Sequence, residues 1–279
     1  MRITAYAHRS FLLAACTGLF LTAFVNPGAA QSSATIRTQS SRRKSSAARH
    51  TETDDAKVVA MPFRVGEALN YQVSWATFAG AASVRLSVPE RRDLFGWNTW
   101  HFRAQIHTLS PVRSLFTIDD QFDSYTDTGN LDSRQYEMYF DELGKKRDEV
   151  LHFVPKGTAA RIPGPGVVVL PGTRDPLGAL YALRAFDWQK TPQYTVPVYD
   201  GQNLYEMHAR LEAAGESVAV PAGNYSASRI SIHLSQYGKE VAGINFSIWL
   251  AHDLARTPVR IRADLPFGSV EAALMSASQ

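Results

Sequence analysis

From Met61 onward, apolar and polar residues alternate with a period of two. In Leu69-Asn70-Tyr71-Gln72-Val73-Ser74-Trp75 the odd positions are apolar and the even ones polar. Ala82, Val84, Leu86 and Val88 alternate with Ser83, Arg85 and Ser87, and Trp100, Phe102, Ala104 and Ile106 alternate with His101, Arg103, Gln105 and His107. The same rhythm returns at Ile244, Phe246, Ile248 and Leu250, and at Val259, Ile261, Ala263 and Leu265. Successive strand side chains point to opposite faces, so each segment predicts a strand with one wet and one dry side. Turn pairs fall between these runs: Ala79-Gly80, Phe95-Gly96, Gly129-Asn130, Leu143-Gly144, Ala214-Gly215, Ala222-Gly223, Tyr237-Gly238 and Phe267-Gly268. Together they predict a mainly β fold of roughly a dozen strands, as a large curved antiparallel sheet or a barrel-like meander. No repeat of propeller or solenoid length stands out.

One segment has a different period. Asp175-Pro176-Leu177-Gly178-Ala179-Leu180-Tyr181-Ala182-Leu183-Arg184-Ala185-Phe186 starts with an acid suited to an N-cap and has proline at the first helical position. Apolar residues then cover most sides, which predicts one buried helix over 175–186, packed in the concave side of the sheet or plugging a barrel mouth. The Gly/Pro-rich stretch 162–171 leads into it and is expected to cross between two halves of the sheet. A split of the body into two smaller β units at that point is the runner-up.

The first sixty residues follow neither pattern. Arg2 and Arg9 precede an apolar run from Phe11 to Val25, and Gly28-Ala29-Ala30 follows before Gln31. This is the form of a secretory signal peptide over residues 1–30, cleaved after Ala30. The run is short of the roughly 20 apolar residues a spanning helix needs, so an uncleaved inner-membrane anchor is the alternative. Leu13-Ala14-Ala15-Cys16 resembles a lipoprotein box, but most of the apolar run lies after it. Cys16 is the only cysteine, so removal of the leader leaves a protein without thiol chemistry. Residues 31–60 are Ser-rich and basic and lack aromatic residues, which predicts a disordered tether, with 61–279 as a single β-rich domain.

Charge follows the same division. The chain carries +3 overall, but residues 1–60 hold eight basic and three acidic side chains, while the rest holds 21 and 23. The basicity belongs to the tail, and a nucleic-acid-binding body is excluded on that ground. Arg42, Arg43 and Lys44 offer weak attraction to an anionic envelope surface.

Catalytic templates fail. There is no G-x-S-x-G elbow, no H-E-x-x-H pair and no phosphate-cradling G-x-x-x-x-G-K. His101 and His107 share a strand face at about 20 Å separation, too far for one metal. Asp119, Asp123 and Asp127 share a face with Gln121 and Tyr125, without the spacing of a calcium loop. His208, His233 and His252 come from three other strands. We therefore expect no enzyme activity, no cofactor and no metal. The dry faces carry an aromatic stripe, and Tyr71, Trp75, Trp100, Phe102, Tyr136 and Phe140 are the candidates to line an apolar trough.

Several motifs together resemble a bacterial envelope family catalogued as domain of unknown function 3108. Phe63-Arg64-Val65-Gly66-Glu67-Ala68-Leu69-Asn70-Tyr71 resembles its F-x-x-G-E-x-L-x-Y opening. The helix segment ending at Arg184 resembles its central helix, with Gly178 where a serine is expected. Pro221-Ala222-Gly223-Asn224-Tyr225 is similar to its V-P-A-G-x-[FY] hairpin, and Trp249 to Val259 to its W-L-x-x-D-x-x-R-x-P-V signature. The resemblance implies an exported Gram-negative envelope protein with a mainly antiparallel sheet and brings no catalytic residue. We expect Gly66, Glu67, Asp175, Arg184, Gly223, Trp249, Asp253, Arg256 and Pro258 to hold the fold together. The function expected is non-enzymatic binding of an apolar or amphipathic envelope component such as lipid or lipopolysaccharide. The alternative is a scaffold that recruits an envelope protein partner through its sheet edges. A third reading is a glycan or ester hydrolase using dispersed Asp and His residues.

Overall fold

The computed structural model describes residues 61–157, 162–266 and 268–278. The signal-peptide and tether expectations therefore lie outside the described residues. Fourteen strands form one sheet: β1 Ala68–Trp75, β2 Phe78–Leu94, β3 Trp97–Thr108, β4 Asp119–Asp127, β5 Ser133–Glu142, β6 Lys145–Pro155, β7 Val167–Val169, β8 Gln193–Tyr199, β9 Leu204–Val220, β10 Gly223–Gln236, β11 Lys239–Glu240, β12 Asn245–Ala251, β13 Pro258–Leu265 and β14 Gly268–Ser278. Along the sheet the order is β7-β6-β5-β4-β3-β2-β1-β14-β13-β12-β10-β9-β8, with β11 paired to β10. Every pairing is antiparallel except β6 with β7, so the sheet is mixed where alternation alone predicted a purely antiparallel one.

The sheet curls until its ends meet, but strand pairing does not close it. At the seam, the Gly201 backbone (φ 107°) presses on Leu151 and Met138, and a Cβ there would lie 3.1 and 3.3 Å from them. Phe153 on β6 meets Tyr199 at the end of β8, with ring centroids 6.2 Å apart. Residues 173 and 174 bridge the gap: Ser133 N donates to Thr173 O at 3.2 Å, Arg174 N to Pro197 O at 3.0 Å, and Tyr199 N to Arg174 O at 2.8 Å.

The only α-helix among the described residues, α1 (Pro176–Ala185), crosses the mouth against β3, β4 and β8, with its C-terminal end at Glu67 before β1 and at the β12–β13 turn. Ten residues span about 15 Å, enough to bridge the opening. All of Pro176 to Arg184 is buried, as an apolar circumference requires. Burying Leu177, Leu180 and Leu183 contributes up to about 2 kcal/mol each before cavity effects. The Gly/Pro-rich stretch holds β7 against β6, and the chain passes through α1 to β8 at the other end of the same sheet, so the strands on either side of the stretch belong to one sheet. A void of about 20 Å³, room for roughly one water, remains beside Pro176, Ala179, Val198, Tyr205, Met207 and Phe246. No described helix is long and apolar enough to cross a membrane.

Two predicted turns lie inside strands. The β1–β2 reversal is at Ala76-Thr77, with Gly80 (φ 72°) within β2. Gly215 (φ 116°) is the extra residue of a bulge in β9, where Ala214 pairs with Ser228 and Glu216 with Ala227. Glycine serves a bulge as well as a turn, and sequence spacing does not separate the two.

Two hairpins fold over the outer face of the curl: β9–β10 by a long overhang, and β2–β3 by its tip alone, because β3 pairs with β4 as far as Thr99 and Asp127. The β9–β10 arm bends at bulges between Ala227 and Ser228 and between Arg229 and Ile230. Its tip reaches β14, where Ala222 N donates to Leu274 O at 3.0 Å. The β2–β3 arm bends at a bulge between Ser87 and Glu90. Its tip crosses toward β5 and β6, placing Trp97 on Arg134 and Phe95 beside His152.

Candidate functional site

The residues singled out from the sequence fall into two groups, inside and outside the curl. Inside, Glu67 and Arg184 form a two-bonded ion pair, Nη1 to Oε1 at 2.7 Å and Nη2 to Oε2 at 2.9 Å. Both side chains are fully buried. Arg184 Nη2 also donates to Ala255 O at 3.0 Å. Burial opposes the charge on Arg184, but the bond and the field of Glu67 outweigh it and hold its pKa above the ordinary value.

The signature turn is tied to the same place. Asp253 accepts from Thr257 N at 2.9 Å and Thr257 Oγ1 at 2.7 Å. Arg256 Nη1 donates to the carbonyls of Arg184, Ala185 and Phe186, the shortest at 2.6 Å, and so satisfies the open C-terminal end of α1. Pro258 O accepts from the Tyr71 hydroxyl at 2.7 Å. Gly66 (φ 93°) turns the chain into β1 with its N–H on Val88 O at 2.9 Å.

At the other end, Asp175 caps α1 by accepting from Gly178 N at 2.8 Å and from the hydroxyls of Ser124 and Ser133. Its burial pushes its pKa up, and these bonds offset part of that rise. A Cβ at Gly178 would lie 3.0 Å from the Thr126 methyl and 3.1 Å from both the Asp175 carboxylate and Ser133 Oγ. That crowding explains glycine where the resemblance leads one to expect serine. Gly223 (φ 138°) closes the tip of the β9–β10 arm, and Trp249 Nε1 donates to Glu216 Oε2 on that arm at 2.7 Å.

The aromatic stripe is not the wall of an open trough. Phe102 stacks on Tyr181 of α1 at 3.7 Å between centroids, and Phe63 stands edge-on to Trp100, Phe102 and Tyr181 at 5.1–5.2 Å. Tyr71, Tyr136 and Phe140 are buried as well. Trp75 is apart from them, stacked with Phe78 at 6.1 Å beside the Ala81, Val112 and Ile118 cluster. The period identified the dry face correctly but did not reveal that the helix and Phe63 fill it.

Outside, the wet faces of β3 and β4 interlock. Asp123 accepts from His101 Nε2 at 2.5 Å, Arg103 Nε at 2.7 Å and Gln121 Nε2 at 2.7 Å. Burial alone would raise its pKa, yet the bonds from His101 and Arg103 hold it below the ordinary carboxylate value. His107 and Arg113 both bind Asp119, and the two bonds from Arg113 lower its pKa most. At the rim away from α1, Asp120 accepts from Asp141 N at 2.9 Å while its buried Oδ2 has no partner. Burial pushes its pKa up to about 7, with Glu142, Asp141 and Asp119 adding to the rise.

Under the β2–β3 arm, His101, Tyr125, Gln135 and His152 form one row across β3 to β6. Arg134 is the extra residue of a bulge beside it, paired through Nη2 to Asp127 at 3.1 Å. Trp97 covers its guanidinium at 3.7 Å. Arg134, Gln135 and His152 are each more than nine-tenths buried, yet Arg134 Nε and Nη1, Gln135 Oε1 and His152 Nδ1 lack hydrogen-bond partners. Such groups cost roughly 1–3 kcal/mol each when sealed from water. Sequence reading passed over all three. The available signal was an aromatic pair, Phe95 and Trp97, flanking the glycine of a hairpin turn where polar residues are usual.

Comparison with known proteins adds a family and a set of distant folds. No curated protein matches. The β-barrel-like protein of domain of unknown function DUF1849 from Brucella abortus aligns at 12% identity with a TM-score of 0.49, covering 77% of this chain and 97% of that one. A protein from Bacteroides fragilis, provisionally described as exported and with a YmcC-like fold, aligns at 11% identity and TM-score 0.37, covering 78% and 98%. One from Parabacteroides distasonis, provisionally described as a lipoprotein, aligns at 13% and 0.35, covering 77% and 96%. The family profile described as protein of unknown function (DUF3108) matches residues 70–275, and the chain belongs to that family.

Proposed function

We propose that the protein is a non-enzymatic binding protein of the cell envelope that takes an amphipathic component on its outer face. One contrast carries this reading. Glu67, Arg184 and Arg256 of the family motifs are consumed in holding α1, whereas four buried hydrogen-bonding atoms without partners, on Arg134, Gln135 and His152, lie together beneath the β2–β3 arm. Export to the periplasm with cleavage after Ala30 belongs to the same reading, as does loose attraction of Arg42, Arg43 and Lys44 to anionic surfaces. Native mass spectrometry of protein purified gently from the periplasm should show a bound small molecule and a chain starting at Gln31. A folded, delipidated preparation that takes up no lipopolysaccharide counts against the proposal.

A protein partner is the second reading, favoured by the sheet edge at β7. Lys156 N donates to Val169 O at 2.8 Å, so parallel pairing turns Val167 and Val169 toward β6 and Val168 toward the free edge. Val168 is 67% exposed and Leu170 52%. Strand addition there should be lost in Val168→Pro, which removes an N–H that the ladder does not use. A stoichiometric partner retained by that variant counts against it.

A further inference from the structure

We propose that the β2–β3 arm is the lid of a sugar-binding site, with Arg134, Gln135 and His152 as polar contacts and Phe95 and Trp97 as ring contacts. This rests on the binding reading above and names the chemistry of the ligand's head. Position comes first. Gln135 and His152 are direct partners on β5 and β6, and Arg134 precedes Gln135 at the bulge, so the three lie within about one strand spacing of about 5 Å.

The kind of group comes next. Arg134 Nε and Nη1 can only donate, Gln135 Oε1 can only accept, and His152 Nδ1 can do either. An anion would answer Arg134 and leave the Gln135 carbonyl unpaired. A cation would do the reverse. A hydroxyl donates and accepts, so neighbouring hydroxyls on one ring answer the whole set.

The cover has the matching chemistry. Phe95 sits at the turn with φ 56°, is 40% exposed, and stands edge-on to His152 at 5.7 Å. Trp97 is half-buried, with the Arg134 guanidinium 3.7 Å from its ring centroid. Aromatic rings uncovered when the tip lifts suit the apolar C–H face of a sugar ring. The polar atoms are sealed while the arm is down, so a sugar enters only when the tip lifts. The bonds it then makes displace none between protein groups.

The test is calorimetric titration of the full exported chain with lipid-free core oligosaccharide of lipopolysaccharide and, separately, the peptidoglycan disaccharide. Inorganic phosphate and laurate serve as comparison probes. Phe95→Ala and Gln135→Leu are the variants, each checked for an unchanged melting curve. We expect at least one saccharide to bind the wild type, to bind each variant at least tenfold more weakly, and to alter amide exchange over residues 93–98. Saccharide binding equal in all three proteins overturns the inference, and so does phosphate binding alone. Uptake of laurate or intact lipopolysaccharide without either saccharide overturns it while the binding reading stands. If no probe binds and a crystal structure shows only ordered waters on these atoms, both fall.

Discussion

At the mouth closed by α1, Glu67, Arg184, Asp253 and Arg256 meet one another, Thr257 or a backbone carbonyl, and of these side chains only Arg184 Nε is both buried and unpaired. Beneath the β2–β3 arm, three neighbouring side chains that are each more than nine-tenths buried leave four atoms unpaired. The first region spends its polar groups on fixing a helix inside an apolar shell, where an unmatched charge would be ruinous. The second keeps hydrogen-bonding capacity in reserve under a cover made of rings. On the proposed reading, fold and recognition are separated, inside and outside the same sheet.

The largest effect should come from the inner region. Glu67→Gln strands the Arg184 charge in the core and should cost about 3–5 kcal/mol by denaturant titration. A loss below about 1 kcal/mol would mean that the two regions do not differ in kind.

Asp120 gives the next effect, through pH. Its folded pKa is raised to about 7 from an ordinary 3.8, so the folded state holds the proton more tightly than the unfolded one. Stability from this group is present below the ordinary value and is lost as pH rises toward 7. Asp120→Asn should stabilise the protein by about 2 kcal/mol at pH 8 and by little at pH 4, flattening the pH profile. An unchanged slope would place the acid in contact with water.

Smaller changes separate the two arms. Glu216→Ala removes the acceptor shared by Trp249 and Arg229 and should cost about 1 kcal/mol. Phe95→Ala should shift stability by less than about 0.5 kcal/mol while speeding exchange at its own tip. Equal losses from both would erase the contrast between a latched arm and a lid.

Much of this architecture was legible in the chain. Period-two runs gave the strands, and Asp175-Pro176 gave the start of α1 to the residue. Of the residues expected to hold the fold together, Glu67 pairs with Arg184, Arg256 bonds the end of α1, Asp253 bonds Thr257 in its own turn, and Gly66 N bonds Val88 O. What stayed hidden depends on register between strands. That His101 and Arg103 would meet Asp123, or that Gln135 would lie beside His152, follows from pairings that no local pattern encodes. The folding-over of both arms depends on bulges after Ser87 and Ala227, and a bulge has no hydrophobic signature. The aromatic stripe misled for a related reason: alternation tells which side is dry, not what covers it.

Amide hydrogen exchange of the two tips, in the absence of ligand, tests the central claim most directly. The β9–β10 tip is tied down by Ala222 N on Leu274 O and by Arg260 Nη2 on Ala219 O at 2.8 Å. The β2–β3 tip has one backbone bond to the body, Thr128 N to Asn98 O at 3.0 Å beside Trp97, and an internal bond from Gly96 N to Asp93 Oδ1 at 3.0 Å; its other contacts with the body are ring and cation contacts. Residues 94–97 should therefore exchange at least tenfold faster than residues 219–223, each corrected for its intrinsic rate. Equal protection, or a slower β2–β3 tip, would contradict the account.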